Sequence, residues 1–284
     1  MMQGSPRHVV SQGQFRMLLQ RDDRFFPGMN KIKIKGKDLT NIPPSLFTLA
    51  RVEVLELTPE RESCLDFKLP LVPAAIGKLV NLKVVCLDTN ELLEVPPEMC
   101  LLKNLERLAL SNNNLTSLPV GISELRKLAS LHVANNDFRD FPLQVCKLEN
   151  LEFLDFSDNQ LISLPEEIGE LKQLVTLLVC YNDLTSLPDT LCSLTELTCL
   201  WLGNNRIQQL PRRFGNLRKL DWGVRYTSST LEGNPLIHPP LEICRMGPEA
   251  IEKYLSSTET GGRNQRLRQT NRKPKSKGTQ DLVP

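Results

Sequence analysis

LERLALSNNNLTSLPVGISEL, Leu105–Leu125, is the stretch whose reading decides the fold. Its apolar residues fall at Leu105, Leu108, Leu110, Leu115, Leu118, Ile122 and Leu125, with Asn113 after the first three and Pro119 after Leu118. The same template fits six times at an unvarying spacing of 23 residues, starting at Leu82, Leu105, Leu128, Leu151, Leu174 and Leu197. Its asparagines are then Asn90, Asn113, Asn136, Asn159, Asn182 and Asn205. Self-similarity at such a period marks a stack of small units, each burying its apolar face only against its neighbours.

Each part of the template has a physical role. Leu108 and Leu110 alternate with Ala109, so the two leucines point inward and the residue between them points out, as on a short strand. One such strand per unit builds a parallel sheet. The asparagine turns inward after the strand and is expected to satisfy backbone groups of its own turn and of the next unit. The Leu-Pro pair predicts an extended segment on the opposite, convex side, because proline fixes φ and restricts its predecessor. Strands crowd on one face and wider segments occupy the other, so the stack curves. The fold class is α/β, a right-handed solenoid or horseshoe with a concave parallel β-sheet.

The template extends outward less regularly. A first unit begins near Met29, with Ile32, Ile34, Leu39, Ile42, Pro43 and Leu46, and carries Lys37 where asparagine is expected. The second starts at Val52 and resumes at Leu69 only after seven extra residues, an insertion within 58–68. The ninth starts at Leu220 and reaches Leu231 and Asn234 six residues late, an insertion within 221–230. The reading is an N-terminal flank over 1–28, with a short capping helix over Gln12–Gln20, nine repeats over 29–246, a C-terminal capping helix over 247–255 and a basic disordered tail over 256–284.

The 23-residue L-P-x-x-[IL]-x-x-L form resembles the leucine-rich repeat proteins of the cytosolic Ras-suppressor and Scribble-like class, over about residues 29–246. The resemblance implies protein binding through the concave face, often in small-GTPase or phosphatase signalling. A non-enzymatic interaction module or scaffold is the first functional reading. The alternatives are a regulatory subunit of a signalling enzyme and a polyanion binder acting through its tail.

Composition bounds these readings. Hydrophobic residues make up 40% of the chain and aromatics only 5%, which suits a leucine-built core. Residues 1–38 hold 8 Lys/Arg against 3 Asp/Glu, residues 39–256 hold 20 against 28, and residues 257–284 hold 7 against 2. An acidic body with basic ends favours electrostatic contacts at the ends. The tail lacks the interleaved aromatics of sequence-specific nucleic-acid readers. No apolar run has the form of a secretory leader or reaches the ~18 residues of a membrane span. Cys100, Cys146, Cys192 and Cys244 recur at one repeat position. Two repeats apart they are about 10 Å from one another, too far for a disulfide. They read as free buried thiols in a reducing compartment, hence the cytoplasm, with the nucleus as a further location.

Function in a repeat array lies in the residues between the leucines. Phe153, Asp155, Leu178, Tyr181 and Trp201 gather in the outward columns of neighbouring units, joined by Trp222, and form the candidate partner site. Aromatic side chains are the usual anchors of protein interfaces. Ser111, His132 and Asp155 lie on consecutive strands, but an open sheet offers no oxyanion hole and excludes no water. No catalytic, cofactor or metal site is therefore assigned. His8, His132 and His238 are far apart in sequence, no C-x-x-C occurs, and no phosphate-binding glycine loop is present.

Overall fold

The computed structural model describes residues 20–35, 38–39, 42–59, 67–222 and 229–257. Nine strands form one sheet in sequence order: β1 Gln20–Asp22, β2 Pro27–Ile34, β3 Val54–Leu57, β4 Val84–Cys86, β5 Arg107–Ala109, β6 Ser130–His132, β7 Phe153–Asp155, β8 Thr176–Leu178 and β9 Cys199–Trp201. From β2 onward every pair is parallel, and equivalent repeat positions face one another, as in Leu108↔Leu131, Leu131↔Leu154 and Leu154↔Leu177. Eight parallel strands in one open sheet make the α/β repeat horseshoe that the spacing predicts. The leucines at the inward strand positions, from Leu55 to Leu200, are buried and belong to a single continuous core.

On the convex side the backbone is extended at the proline, as expected, and a 3₁₀ turn follows at once. Pro43, Pro73, Pro96, Pro119, Pro142, Pro165 and Pro188 each stand just before such a turn with φ between −61 and −75°. The proline carbonyl accepts the N–H three residues on, for example Ile122 N–H to Pro119 O at 3.0 Å. Proline lacks an N–H but keeps a carbonyl, so it can open a tight turn, and Pro44 and Pro97 even occupy the first position of theirs, where no N–H is needed.

The asparagines are bonded as predicted in kind but toward the other neighbour. Each Oδ1 accepts a backbone N–H of the preceding unit: Leu69 to Asn90, Leu92 to Asn113, Leu115 to Asn136, Phe138 to Asn159, Leu161 to Asn182, Leu184 to Asn205 and Ile207 to Asn234, at 2.9–3.1 Å. Each Nδ2 donates to a carbonyl of its own strand exit and to one of the preceding unit, as Asn136 does to Val133 O at 3.1 Å and Leu110 O at 3.0 Å. These side chains stitch each unit backward.

The ends are closed differently from one another. β1 pairs antiparallel with β2, so a hairpin covers the first parallel strand. The helix expected over Gln12–Gln20 falls, except for its last residue, outside the described residues, and Gln20 is in a strand. Lys31, 5% exposed, ties the hairpin to the array through Asp23 and Glu56, both at 2.7 Å. Burial opposes its charge, yet the hydrogen bonds from these two carboxylates hold its pKa above the usual lysine value. At the other end lie α1, Leu241–Cys244, and α2, over 248–257, whose Ile251 and Leu255 are buried against the last units. The insertions lie in part at 60–66 and 223–228, outside the described residues. Their effect on register is visible: β3 pairs Val54 with Val84, and Trp201 bridges Thr230. The tail from 258 lies outside the described residues.

Replacing Asn136 with Ala strands the Leu115 N–H and two carbonyls in the core. We expect a loss of about 1–3 kcal/mol of unfolding free energy in a denaturant titration. The same change at exposed Asn114, whose backbone is not in the left-handed region, should cost far less.

Candidate functional site

The concave face is set by the side chains that alternate with the buried leucines. In the column between the paired leucines, parallel register places Ala109, His132, Asp155, Leu178 and Trp201 side by side across β5–β9. On one side of this row stand Arg107, Ser130, Phe153, Thr176 and Cys199. On the other lie small residues, Ser111, Ala134, Ser157, Cys180 and Gly203. The face thus has a raised row of large side chains beside a low floor.

Phe153, Asp155, Leu178 and Trp201 are half-buried, and Tyr181 is 56% exposed. This row and its flanking columns therefore hold all the candidate residues except Trp222. That ring stands edge-on to Phe214, with centroids 6.4 Å apart, and packs against the core beside Gly247. The insertion carries the chain out of register after Asp221, so Trp222 seals the last units instead of extending the concave row. His132 joins the cluster in its place. Its ring stacks on Phe153 with centroids 4.5 Å apart and an interplanar angle of 29°. Stacking between neighbouring columns was readable in principle from the repeat register, which puts position 132 diagonally beside position 153.

Polar groups in this cluster are only partly satisfied. The Trp201 Nε1–H is buried and has no hydrogen-bond partner among the described residues. An unmade bond of this kind costs about 1–3 kcal/mol. Asp155 Oδ1 accepts the Ser157 N–H at 2.9 Å, and burial pushes its carboxyl above the ordinary value. Neither Asp155 nor Asp158 has an ion-pair partner among the described residues. Cys180 Sγ donates to Ser157 Oγ at 3.2 Å.

The Ser111, His132 and Asp155 constellation does not form a relay. His132 Nε2 shares a 2.8 Å hydrogen bond with Ser130 Oγ, and Asp155 is turned to the Ser157 backbone. Burial, followed by the Arg107 charge, lowers the His132 pKa to about 4. Such an imidazole is neutral near pH 7, yet it lies on an open face without an oxyanion hole. Among the described residues no group of three or more His, Cys, Asp or Glu side chains could hold a metal ion. Cys100, Cys146, Cys192 and Cys244 are free and buried, as their shared repeat position predicts. Burial pushes the thiols of Cys146 and Cys192 up to about 12, so they are packing groups and not nucleophiles.

A feature missed in the sequence is the backbone just past each strand. Thr89, Asn112, Asn135, Asp158, Tyr181 and Asn204 all have φ between +52 and +63°, and the last unit uses Gly233 at +76°. There the N–H turns to the next unit's carbonyl, as Tyr181 N–H does to Gly203 O at 3.0 Å. Asn, Asp and Gly tolerate this left-handed region, whereas an aromatic residue does not favour it. Tyr181 is thus held in a strained backbone with its ring largely in solvent.

Two family profiles match the chain, described as a leucine-rich repeat region over residues 142–229 and a leucine rich repeat over 80–138. A search of the curated proteins gives no match. Among solved structures, a leucine-rich repeat protein of Leptospira interrogans is 27% identical with a TM-score of 0.64, over 76% of this chain and 57% of that one. A TDR receptor is 26% identical with a TM-score of 0.59, over 73% of this chain and 34% of that one. The plant peptide hormone receptor RGFR1, solved in complex with RGF2, shares the fold at 24% identity and a TM-score of 0.56, over 74% of this chain and 35% of that one. The chain spans less than two thirds of the length of these structures.

Two measurements probe the site's physics. Tyr181→Asn should raise the unfolding free energy by about 0.5–1 kcal/mol, because asparagine accepts the left-handed backbone more readily. A stability loss in a denaturant titration would show that the tyrosine ring itself supports the fold. His132 binds a proton at about 4 in the folded chain, against 6.5 ordinarily. The unfolded state takes up that proton first, so stability is lost as pH falls through this window. The raised carboxyls of Asp155 and Asp88 act in the opposite sense, so the readout is a difference. His132→Gln should lose less stability than the natural chain between about pH 7 and pH 4.5.

Proposed function

The chain is a leucine-rich repeat protein, and from that premise we propose that it is a non-enzymatic interaction module whose protein partner docks on the concave face over Phe153, Asp155, Leu178, Tyr181 and Trp201. The observation that carries this reading is the cluster itself. Half-buried apolar side chains, an indole N–H unpartnered among the described residues and an exposed tyrosine on strained backbone lie on three adjacent units. A sheet face carrying aromatic anchors within a polar surround has the anatomy of a binding hot spot. The repeat leucines are spent on the core, so they leave the columns between them free to vary with the partner.

The scaffold role belongs with a reducing compartment. Seven free cysteines among the described residues, five of them buried, form no disulfide. No described helix is long and apolar enough to cross a membrane. We place the module in the cytoplasm on the strength of its thiols. Extracellular repeat arrays occur among its structural neighbours, so secretion of a folded, disulfide-bonded form from cells would overturn that placement.

The test is a paired substitution. Leu178→Ala with Trp201→Ala removes the apolar centre of the face without touching the buried leucines, so the chain should keep its circular-dichroism spectrum. Proximity labelling in cells should then lose the partners that the natural chain captures. Retention of the same partners at the same level would refute the cluster as the docking site.

A further inference from the structure

We propose that the concave face formed by β7, β8 and β9 takes an extended peptide segment presenting a lysine or arginine beside an apolar residue, the cation going to Asp155 and the apolar side chain to Leu178 and Trp201. This rests on the docking role proposed above and names the chemistry of the partner.

Asp155 stands in register between His132 and Leu178, on a face that is apolar around it. Its carboxylate is half-buried, holds only the Ser157 N–H and hydroxyl, and faces no cation among the described residues. Asp158, exposed three residues on, adds negative charge without an ion pair. Among the described residues, Arg206 is engaged with Asp183 at 2.7 Å, and Arg107 lies two strands away on β5. A partly desolvated carboxylate gains more from an arriving cation than one in bulk water does. A neutral or acidic segment would instead leave that charge buried and unpaired.

The shape of the face selects an extended segment. Ser157, Cys180 and Gly203 are buried and form a low floor between the Asp155, Leu178 and Trp201 row and the line of Asp158, Tyr181 and Asn204. Neighbouring strands are about 4.8 Å apart, so Asp155 and Trp201 are separated by roughly 10 Å. An extended chain advances about 3.3 Å per residue and repeats its facing every second residue. A cation and an apolar side chain two residues apart on one side of such a chain therefore meet Asp155 and Leu178–Trp201 together.

The chain holds two tryptophans, so its indole N–H resonances give a local readout. The isotopically labelled full chain is titrated into the millimolar range with Gly/Ser peptides carrying one Arg-Ser-Leu, Glu-Ser-Leu or Arg-Ser-Ser triplet. Trp222→Phe assigns the Trp201 signal. Arg-Ser-Leu should move that signal saturably, Glu-Ser-Leu should leave it in place, and Arg-Ser-Ser should bind more weakly. Asp155→Asn keeps an oxygen for the Ser157 N–H and should weaken Arg-Ser-Leu about tenfold, a difference of about 1.4 kcal/mol. Equal shifts with Glu-Ser-Leu, no shift at Trp201, or unchanged affinity in Asp155→Asn would overturn the proposal. If Leu178→Ala with Trp201→Ala still abolishes partner capture while Arg-Ser-Leu fails, the docking role stands and this chemistry falls. If capture survives that double substitution, the docking role itself falls.

Discussion

No unit of this chain can keep its apolar face dry alone, and the inward asparagine is what allows the units to join. A strand of three or four residues leaves its flanking backbone in the core without ladder partners. Asn90, Asn113, Asn136, Asn159, Asn182, Asn205 and Asn234 supply those partners, one amide per unit, each reaching back to the unit before it. A buried backbone group must be paired somewhere. Here the pairing also fixes the offset between units, so a constant spacing in sequence becomes a constant step in space.

That constraint divides the surface into parts of different character. The buried leucines and asparagines admit little variation. The 3₁₀ turns on the convex side give a rim of short, similar segments, each opened by its proline. The concave columns alone combine a fixed backbone position with freedom in side chain. Along those columns the chemistry changes with direction. Lys31, Lys33 and Glu56 form an ion-paired network near the N-terminal hairpin, whereas Phe153, Leu178, Tyr181 and Trp201 make an aromatic and aliphatic surface near the other end.

The 23-residue spacing made the parallel sheet, its register and the free buried cysteines legible, because each follows from period alone. The same arithmetic placed Phe153, Asp155, Leu178 and Trp201 on one face. What stayed hidden depends on local geometry that a period does not encode. Strand β1 is only three residues long and has no alternating signal. The tight turns after the prolines depend on a carbonyl pairing three residues on, which the Leu-Pro motif does not reveal. The left-handed positions were hinted at by Asn112, Asn135, Asp158 and Asn204, but Tyr181 masked the column. Trp222 was misplaced because an insertion breaks the register just after it, and a residue beside a break no longer inherits its column.

The idea beneath all of this is that the leucine core is closed and the concave row is open in the free chain. Hydroxyl-radical footprinting of the isolated full-length protein tests both halves at once. Phe153, Leu178, Tyr181 and Trp201 should be oxidised readily, while Phe138, Phe156 and Phe214, fully buried in the core, stay protected. Protection of the concave row in the absence of any partner, or oxidation of the core phenylalanines under native conditions, would contradict it.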